Sequence, residues 1–236
     1  MYINNHKRLF IINMQYVDIK EKNNNHSYFY YMPNFITHNE IEKYTNWLDN
    51  MDDFNPNYNY NENSIIRYQK WYQKNMLYFC PTWKEKYKRW ESFMYDDTIT
   101  SLQNKIDSTL REDHFSDLGI SIPNLNSILI QKYMNGEQYI SAHRDTDKSF
   151  GYTPTIINIS FGSPRTIIFK RVIYNGSNKK MSKLDKQNKH VNMQFTLAPG
   201  SLFIMAGDSQ KHWTHQIDKE PDKGVRYSLT FREYET

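Results

Sequence analysis

The sequence predicts an α+β protein, mainly β, in which short strands form a sandwich or jelly roll. From residue 127 onward, apolar runs of strand length alternate with turns that contain Gly and Pro, a spacing typical of such folds. Ahead of that point, two segments carry apolar residues at helical spacing instead. A chain of 236 residues is long enough to bury one good core. We therefore expect a single domain over 27–236, preceded by an N-terminal arm over 1–26 that is flexible or adds an edge strand.

Two helices and a strand are predicted in the first half of the chain. Thr37 and Glu40 form the residue pattern of a capping box, in which each side chain satisfies a backbone amide at the start of a helix. Apolar residues follow at helical spacing, and a second apolar stripe repeats through 97–111. The predicted strand covers 28–32. The stripe residues are Ile41, Tyr44, Trp47, Leu48 and Met51 in the first helix and Ile99, Leu102, Ile106 and Leu110 in the second.

Seven strands are predicted in the second half of the chain. Each is a short run rich in β-branched and aromatic residues and bounded by turn residues. A Lys-rich stretch at 175–190 interrupts them, and it fits a solvated hairpin or a contact with phosphate groups equally well. The predicted strands cover 127–134, 155–161, 165–173, 191–197, 201–205, 213–217 and 225–233.

Charge and cysteine content narrow the classes of function. The formal net charge of +4 suits a polyanionic partner without requiring one. Cys80 is the single cysteine, which excludes an intrachain disulfide or a cysteine zinc cluster and favours a reducing compartment. The apolar stretch at 9–14 is too short to span a membrane. We expect a soluble, intracellular monomer of the cytoplasm or nucleus, with no membrane partner.

His143 and Asp145, separated by one residue, are candidate metal ligands. In an extended chain, side chains two residues apart point to the same side, so the imidazole and the carboxylate converge. A second histidine would complete the facial triad of two histidines and one carboxylate that holds non-haem iron. His212 and His215 are the candidates. They are three residues apart, so in a strand they face opposite sides and one of them at most can join.

The segment 226–232 predicts a strand with one apolar and one polar face. If the apolar face packs outward against helices, Arg226 and Arg232 point into the interior, roughly 20 Å apart at the backbone. Buried arginines without carboxylate partners are costly, and their planar groups grip carboxylates bidentately. We therefore expect a small dicarboxylate between them. The alternative is a surface strand paired to Asp or Glu. The apolar residues are Tyr227, Leu229 and Phe231, and the polar ones are Arg226, Ser228, Thr230 and Arg232.

Taken together, these motifs resemble the AlkB family of dioxygenases. Their order and spacing fit over about 126–233, and the segment 33–35 with the helix after it resembles that family's entry helix. The resemblance implies a double-stranded β-helix core over 126–233 with N-terminal helices packed on one sheet. It also implies Fe(II), 2-oxoglutarate and O2. The matching motifs are 126–133, Gly136, 143–145, 159–162, Arg165, 199–202, 213–215 and 226–232.

The resemblance also assigns roles to site residues. It selects His215 over His212 as the third iron ligand beside His143 and Asp145. It places the two strand arginines on the carboxylates of 2-oxoglutarate. Residue 131 is Gln where the family commonly has Asn, which keeps the amide but lengthens the side chain by one methylene. The residues implied to bind 2-oxoglutarate are Arg226, Arg232, Tyr133, Gln131 and Ser228.

The activity that the resemblance implies is oxidative demethylation of N-methylated bases in DNA or RNA. 2-Oxoglutarate is decarboxylated to succinate and CO2 while an N-methyl group is hydroxylated, and the hydroxymethyl product leaves as formaldehyde. The protein holds the methyl group beside the metal and excludes water. A base in a duplex must be flipped out to reach such a metal, so methylated DNA or RNA is the implied partner.

Residues 64–95 resemble, loosely, the family's nucleotide-recognition lid. An aromatic side chain here would stack on the flipped base, with the imidazole of His143 on the other side. Asp147 would share the face of Asp145 and favour cationic bases such as 1-methyladenine or 3-methylcytosine, unless it is a solvated loop carboxylate. Most other aromatic residues of the segment are expected in the core, with Trp83 and Trp90 packing on helices. The predicted substrate contacts are Arg67, Gln69, Tyr72, Tyr78 and Asp147.

Two other classes of function are compatible with the sequence. One is an oxygenase of the same fold that acts on a protein or a small molecule, which the lid residues and the positive net charge disfavour. The other is a nucleic-acid binder without catalysis, which the complete set of two histidines, one aspartate and two arginines disfavours. In a non-catalytic protein, the same histidines and aspartate would form a structural hydrogen-bond network.

Overall fold

Two β-sheets face each other in the computed structural model, which describes residues 7–9, 14–21, 24–51, 55–58, 64–84, 87–111, 115, 117–172 and 192–235. In this part of the chain the larger sheet has ten strands and the smaller has four. Neighbouring strands are antiparallel except for one short parallel pair. The arrangement is a jelly roll, the double-stranded β-helix expected for this α+β, mainly β chain.

The C-terminal strand lies inside the larger sheet rather than at its edge. In spatial order the larger sheet contains β1 (Lys7–Leu9), β2 (Gln15–Lys20), β3 (His26–Met32), β12 (Leu202–Gly207), β9 (Ile156–Gly162), β14 (Arg226–Arg232), β7 (Ser127–Tyr133), β5 (Ser64–Gln73) and β4 (Asn55–Tyr58), with β6 (Ser92–Phe93) beside β5. The smaller sheet contains β11 (Asn192–Leu197), β10 (Arg165–Arg171), β13 (Trp213–Ile217) and β8 (Ile140–His143).

Two long helices cover the outer face of the larger sheet. Helices α1 (His38–Asp49) and α2 (Asp97–Leu110) bury the apolar stripes that predicted them against outward-facing residues of β7, β9, β12 and β14. The connections contain short helices α3 (Asp147–Phe150) and α4 (Ser209–His212) and two 3-10 turns, Pro81–Trp83 and Lys88–Trp90.

A side chain fixes the start of each long helix. The carboxylate of Glu40 accepts the backbone N–H of Thr37 at 3.0 Å, which is the Glu40 half of the predicted capping box. Asp96 caps α2 by accepting the N–H of Ile99 at 2.7 Å. Lys105 of α2 also binds Glu40 at 2.7 Å. The first turn of α1 is therefore tied to α2.

Side chains along β14 point alternately to the helix layer and to the space between the sheets. Tyr227, Leu229 and Phe231 pack with the helices. Arg226 and Arg232 therefore point inward and line a cavity between the sheets. The predicted two-faced strand is confirmed.

The space between the sheets is filled at one end and open at the other. A second apolar cluster, which includes Phe29, Phe169, Phe203 and Trp213, fills the end formed by β3, β12 and β10. Polar and charged side chains of β7, β14, β8 and β13 line the open end. The candidate functional residues therefore gather there.

Residues 15–20 correct the prediction of a flexible arm over 1–26. They form β2, which pairs along its whole length with β3. Tyr16 packs in the helix layer and Ile19 in the cluster between the sheets, since side chains three apart in a strand face opposite ways. The arm therefore adds strands at the edge of the larger sheet, as the alternative predicted, with β2 next to β3 and β1 outermost.

The segment 64–95 is only in part a covering element. β5 pairs with β7 from Tyr68 to Gln73, so it belongs to the sheet. The two 3-10 turns that follow it carry side chains to the mouth of the cavity. The first part of the predicted nucleotide-recognition lid is thus a strand of the larger sheet, and the lid role of the second part stays a prediction.

Two expectations concern segments away from the cavity. The Lys-rich stretch 175–190, predicted as a hairpin or a phosphate contact, lies outside the described residues. Among the helices that the structure does describe, none is long and apolar enough to cross a membrane.

Candidate active site

Two histidines from neighbouring strands lie side by side at the open end of the sandwich. β8 and β13 are antiparallel, and their register pairs His143 directly with His215. The ring centroids are 4.2 Å apart. Directly paired residues present their side chains on the same face of a sheet, and both imidazoles line the cavity.

Asp145 completes the cluster from the loop that follows β8. Its Oδ1 lies 4.0 Å from Nε2 of His143 and 4.0 Å from Nε2 of His215. One potential ligand atom from each of the three residues lies within 4.8 Å of the other two. Two imidazoles and one carboxylate that converge this closely fit the facial triad of non-haem iron.

The surroundings of both imidazoles favour the neutral, metal-binding form. Nδ1 of His143 lies 2.8 Å from the carbonyl oxygen of Ser141, so Nδ1 carries the proton and Nε2 keeps a lone pair. Burial lowers the pKa of His143. Burial and the neighbouring His143 lower the pKa of His215 to about 3. Near neutral pH neither ring is charged, so their lone pairs and the Asp145 carboxylate form a site for a cation.

Arg232 holds the other oxygen of Asp145. Its Nε donates to Oδ2, and its Nη1 donates to the carbonyl oxygen of Thr230 at 3.2 Å. Burial is the largest single effect and raises the pKa of Asp145, but the charge and hydrogen bond of Arg232 and the two neighbouring histidines together outweigh it and keep the pKa below its usual value. Asp145 is therefore an anion whose Oδ1 faces the histidines.

His212 lies apart from this cluster. It is the last residue of α4, and its Nε2 is 3.7 Å from the carboxylate of Asp208. It lines a neighbouring groove rather than the cavity. Of the two candidate histidines, His215 is thus the one that the structure brings beside His143.

Arg226 brings an unsatisfied positive charge to the cavity. Its side chain is 1% exposed, and Nη2 donates to the hydroxyl of Ser160 at 3.0 Å. Among the described residues, Nε and Nη1 have no hydrogen-bond partner. The ring of Tyr133 lies 5.2 Å from the guanidinium carbon. A buried guanidinium with two unpartnered nitrogens is costly alone and fits a carboxylate ligand.

A polar row crosses the cavity floor between the two arginines. Cross-strand pairs place Gln69 beside Gln131, Gln131 beside Ser228, and Ser228 beside Ser160. Gln69, Gln131 and Ser228 line the cavity together with Tyr133. The predicted contacts of 2-oxoglutarate on β7 and β14 therefore share one wall.

Asn158 of β9 is a cavity residue that the sequence analysis missed. Its Nδ2 donates to Oγ of Ser228 at 2.7 Å and to Oγ1 of Thr230 at 3.0 Å. Its Oδ1 accepts from the hydroxyl of Ser160 at 3.1 Å. The network fixes the hydroxyl groups that face the cavity. A signal was available, because Asn158 is an amide within an apolar strand, where a buried polar group needs partners.

The cavity that joins these groups has a volume of about 360 Å³. It lies in the range of small-molecule sites. His143, Asp145 and His215 line it together with Arg226 and Arg67. The predicted metal ligands, both predicted carboxylate-binding arginines and two predicted substrate contacts, Arg67 and Gln69, therefore open into the same space.

Three aromatic side chains, which we call the aromatic wall, border the cavity: Phe79, Trp83 and Trp90. The Phe79 ring centroid is 4.3 Å from that of Trp90 and 5.8 Å from that of Trp83. The prediction that Trp83 and Trp90 pack on helices is wrong. The two 3-10 turns carry them to the cavity, where they pack on Phe79.

Tyr72 and Tyr78 lie away from the cavity. β5 presents Arg67 and Gln69 to the cavity, so Tyr72, at the opposite parity, packs in the helix layer. Tyr78 donates to the carboxylate of Glu91 at 2.7 Å at the surface. Neither tyrosine lines the cavity, so the predicted stacking of Tyr72 or Tyr78 on a base beside the histidines is not supported by their positions, whereas Arg67 and Gln69 line the cavity.

Asp147 is turned out of the cavity. β8 ends at His143, and Thr146 caps α3 by accepting the N–H of Lys148 at 3.3 Å, so strand alternation does not continue to Asp147. Asp147 is exposed and lines the neighbouring groove. The position predicted for Asp147 beside a flipped base is wrong, and the alternative of a solvated carboxylate describes it.

Two curated proteins are similar to this chain in sequence. DNA oxidative demethylase ALKBH2 of Arabidopsis thaliana is 31% identical over 116 residues, which cover 45% of this chain and 37% of that protein. Alpha-ketoglutarate-dependent dioxygenase alkB homolog 3 of Homo sapiens is 31% identical over 108 residues, which cover 45% and 36%. The chain thus spans well under half the length of these relatives.

A solved structure and a family profile match over a longer range. The crystal structure of an oxidoreductase of the 2OG-Fe(II) oxygenase family from Burkholderia pseudomallei aligns with a TM-score of 0.53 at 12% identity, covering 86% of this chain and 84% of that one. This likeness shows the fold. Residues 28–232 match the 2OG-Fe(II) oxygenase superfamily, whose members use Fe(II), 2-oxoglutarate and O2. The chain belongs to the 2OG-Fe(II) oxygenase superfamily.

Proposed function

We propose that this oxygenase removes methyl groups from N-methylated bases of DNA or RNA by oxidation. The aromatic wall beside the histidine pair is the observation that carries the proposal. Two similar proteins support it by name, one called a DNA oxidative demethylase and the other an alkB homolog. The net charge of +4 is compatible with a polyanionic substrate.

Trp83 and Trp90 are half-buried at the border of the cavity, so one of their ring faces could stack on a base. Stacking of a base on an aromatic side chain contributes about 1–3 kcal/mol and tolerates any base. The wall and the histidine pair line one cavity, so a ring that stacks on Trp90 or Phe79 would lie close to the metal ligands. A base within a duplex must leave its stack to do so.

Iron and 2-oxoglutarate supply the oxidising chemistry when bound. With 2-oxoglutarate as co-substrate, one oxygen atom of O2 would end in succinate, with release of CO2, and the other in a hydroxymethyl group formed from the N-methyl group. Cleavage of the C–N bond would release formaldehyde, and the hydroxyl proton would go to the freed nitrogen or, for a cationic base, to solvent.

Different residues of this chain would bind the iron and 2-oxoglutarate. His143, Asp145 and His215 would hold the iron, and Nε and Nη1 of Arg226 would donate to a carboxylate of 2-oxoglutarate. Arg232 would keep Asp145 ionised and serve the other carboxylate. Tyr133, Gln131 and Ser228 would line the space between them.

Two residues on β5 would recognise the base. Arg67 and Gln69 line the cavity, and Nε2 of Gln69 has no hydrogen-bond partner among the described residues. Both side chains can donate to the carbonyl oxygens or ring nitrogens of a base edge.

A panel of methylated oligonucleotides tests the proposal. Single- and double-stranded DNA and RNA carrying 1-methyladenine, 3-methylcytosine or N6-methyladenine are incubated with the full chain, Fe(II), 2-oxoglutarate and O2. Loss of the methyl mass and release of formaldehyde are expected for at least one oligonucleotide. Unmethylated oligonucleotides and Asp145→Ala protein are the matched controls.

A second arm offers the same enzyme a mixed peptide library and scores gain of one oxygen atom. Succinate formation with peptide oxidation, and with no oligonucleotide demethylated, would reject the nucleic-acid substrate and favour an oxygenase acting on protein. Absence of succinate under every condition would reject the oxygenase chemistry as well.

A further inference from the structure

Asp145, unlike the two histidines, lies outside the β-strands. His143 and His215 belong to paired strands, whose hydrogen bonds fix the backbone. Residues 144–146 lie between the end of β8 and the start of α3. Arg232 holds the Asp145 carboxylate, but the backbone at Asp145 must be held by contacts other than strand pairing.

Helix α4 supplies those contacts. Oε1 of Gln210 accepts the backbone N–H of Asp145 at 3.0 Å. The carbonyl oxygen of Lys211 accepts Nη1 of Arg144 at 3.1 Å. Gln210 is 7% exposed, in a setting where a missing hydrogen bond is costly. Two consecutive residues of α4 thus hold two consecutive residues of the loop.

The chemistry of the pair fixes the orientation of the Gln210 amide. A backbone N–H can only donate, so the group that faces Asp145 must be the carbonyl oxygen of the side chain. Nε2 then lies on the other side, 3.1 Å from Sδ of Met205. Gln210 cannot turn its amide around without setting one N–H group against another.

Helix α4 is itself anchored to both sheets. The backbone N–H of Asp208, just before α4, donates to the carbonyl oxygen of His26 at 2.8 Å, at the start of β3. The backbone N–H of Val172, just after β10, donates to the carbonyl oxygen of His212 at 2.7 Å. Gln210 therefore projects from a fixed support.

We propose that Gln210 is a positioning residue for the iron site. It holds the main chain at Asp145 so that Oδ1 faces the two imidazoles while Oδ2 stays on Arg232. Gln210 lines the neighbouring groove and not the cavity. This inference rests on the iron site of the proposed function and not on the methylated substrate.

Metal affinity is the direct measure of this role. The metal-free full chain is titrated with Co(II), whose visible absorption reports its coordination, and no turnover is needed. Gln210→Met keeps the size of the side chain but removes the acceptor, and it should weaken Co(II) binding about 10- to 100-fold. Gln210→Glu restores an acceptor oxygen and should bind nearly as tightly as the wild type.

Gln216→Met is the matched control. Gln216 is the neighbour of His215 on β13, faces the opposite side of the strand and donates to Asp218. The same substitution there should leave Co(II) affinity unchanged. Should Gln210→Met fail to fold, Gln210→Asn, whose amide is one methylene too short to reach Asp145, carries the same expected loss.

Two results would overturn the inference. One is wild-type Co(II) affinity in folded Gln210→Met or Gln210→Asn protein. The other is an equal loss of affinity in Gln210→Glu, which would mean that packing and not the acceptor matters. Since no methylated substrate enters the titration, a failed demethylation assay would leave the result standing.

Discussion

The guanidinium of Arg226 is buried, and neighbouring groups accept only some of its hydrogen bonds. Nη2 binds Ser160, whereas Nε and Nη1 have no partner in the described part of the chain. Burial lowers the pKa of Arg226, yet a guanidinium stays protonated at any ordinary pH. The protein without 2-oxoglutarate therefore bears a cost that a bound carboxylate would remove.

Arg226→Met should accordingly have two opposite effects. The 2-oxoglutarate concentration for half-saturation should rise roughly thirtyfold or more, because a lost charge-assisted pair costs about 2–5 kcal/mol. The Tm of the protein without 2-oxoglutarate should rise, because the buried charge is gone. Succinate formation and thermal unfolding measure the two. Arg111→Met, at the exposed end of α2, should change neither, and an unaltered 2-oxoglutarate requirement in Arg226→Met would contradict the assignment.

The triad should be sensitive to substitution and, above about pH 6.5, nearly insensitive to pH. Alanine at His143, Asp145 or His215 should abolish metal binding and succinate formation, while His212→Ala should retain both.

Burial lowers the pKa of His143, and that of His215 to about 3. Protons then compete with the metal at a lower pH than they would at unperturbed histidines, so Co(II) affinity should stay nearly constant from about pH 8 down to about pH 6.5 and begin to fall only below it. A steep fall that begins above about pH 6.5 would show that the rings titrate normally.

Helices α1 and α2 are joined by a charged contact that should make their packing acid-sensitive. Hydrogen bonds from Lys105 and Thr37 lower the pKa of Glu40 to about 2, from 4.5 for an unperturbed glutamate. A depressed folded-state pKa means that the contact stabilises the protein fully above pH 4.5 and is lost as the pH falls towards 2. Both side chains are about one-third exposed, so the contact contributes only about 0.5–1 kcal/mol.

Glu40→Gln should therefore lower the free energy of unfolding at neutral pH by about 0.5–1 kcal/mol. The gap to the wild type should close as the pH approaches 2. Urea unfolding at a series of pH values measures both. Glu42→Gln, exposed on the same helix, provides the matched control without an effect. A pH-independent gap for Glu40→Gln would mean that helix capping and not charge is responsible.

Substitution of a tryptophan in the aromatic wall should weaken substrate binding without affecting the iron site. Trp90→Ala should raise KM for a methylated oligonucleotide about tenfold, as expected for the loss of one stacking contact. Succinate formation in the absence of oligonucleotide should stay unchanged. Tyr78→Ala, at the surface against Glu91, should leave KM unchanged. Equal losses of coupled and uncoupled turnover in Trp90→Ala would assign the wall a structural role only.

Elements whose apolar residues recur at a regular spacing were predictable from the sequence, and elements without such a spacing were not. β14 alternates over seven residues and both long helices carry stripes, so their faces were predicted correctly. The 3-10 turns have three residues each and no period, so the aromatic wall was missed. The expected position of Asp147 failed because Thr146 starts a helix where continued alternation was assumed.

One face of β14 packs against the helix layer, and the other carries Arg226 and Arg232 to the cavity. The number of residues in β14 is therefore more tightly constrained than their identities. Inserting or deleting one residue between Arg226 and Arg232 would turn one arginine against the helices and bring apolar side chains into the cavity. Substitutions on either face can accumulate one at a time. A change in residue number would damage folding and co-substrate binding together, so homologues should vary in length at the turns on either side of this strand and not within it.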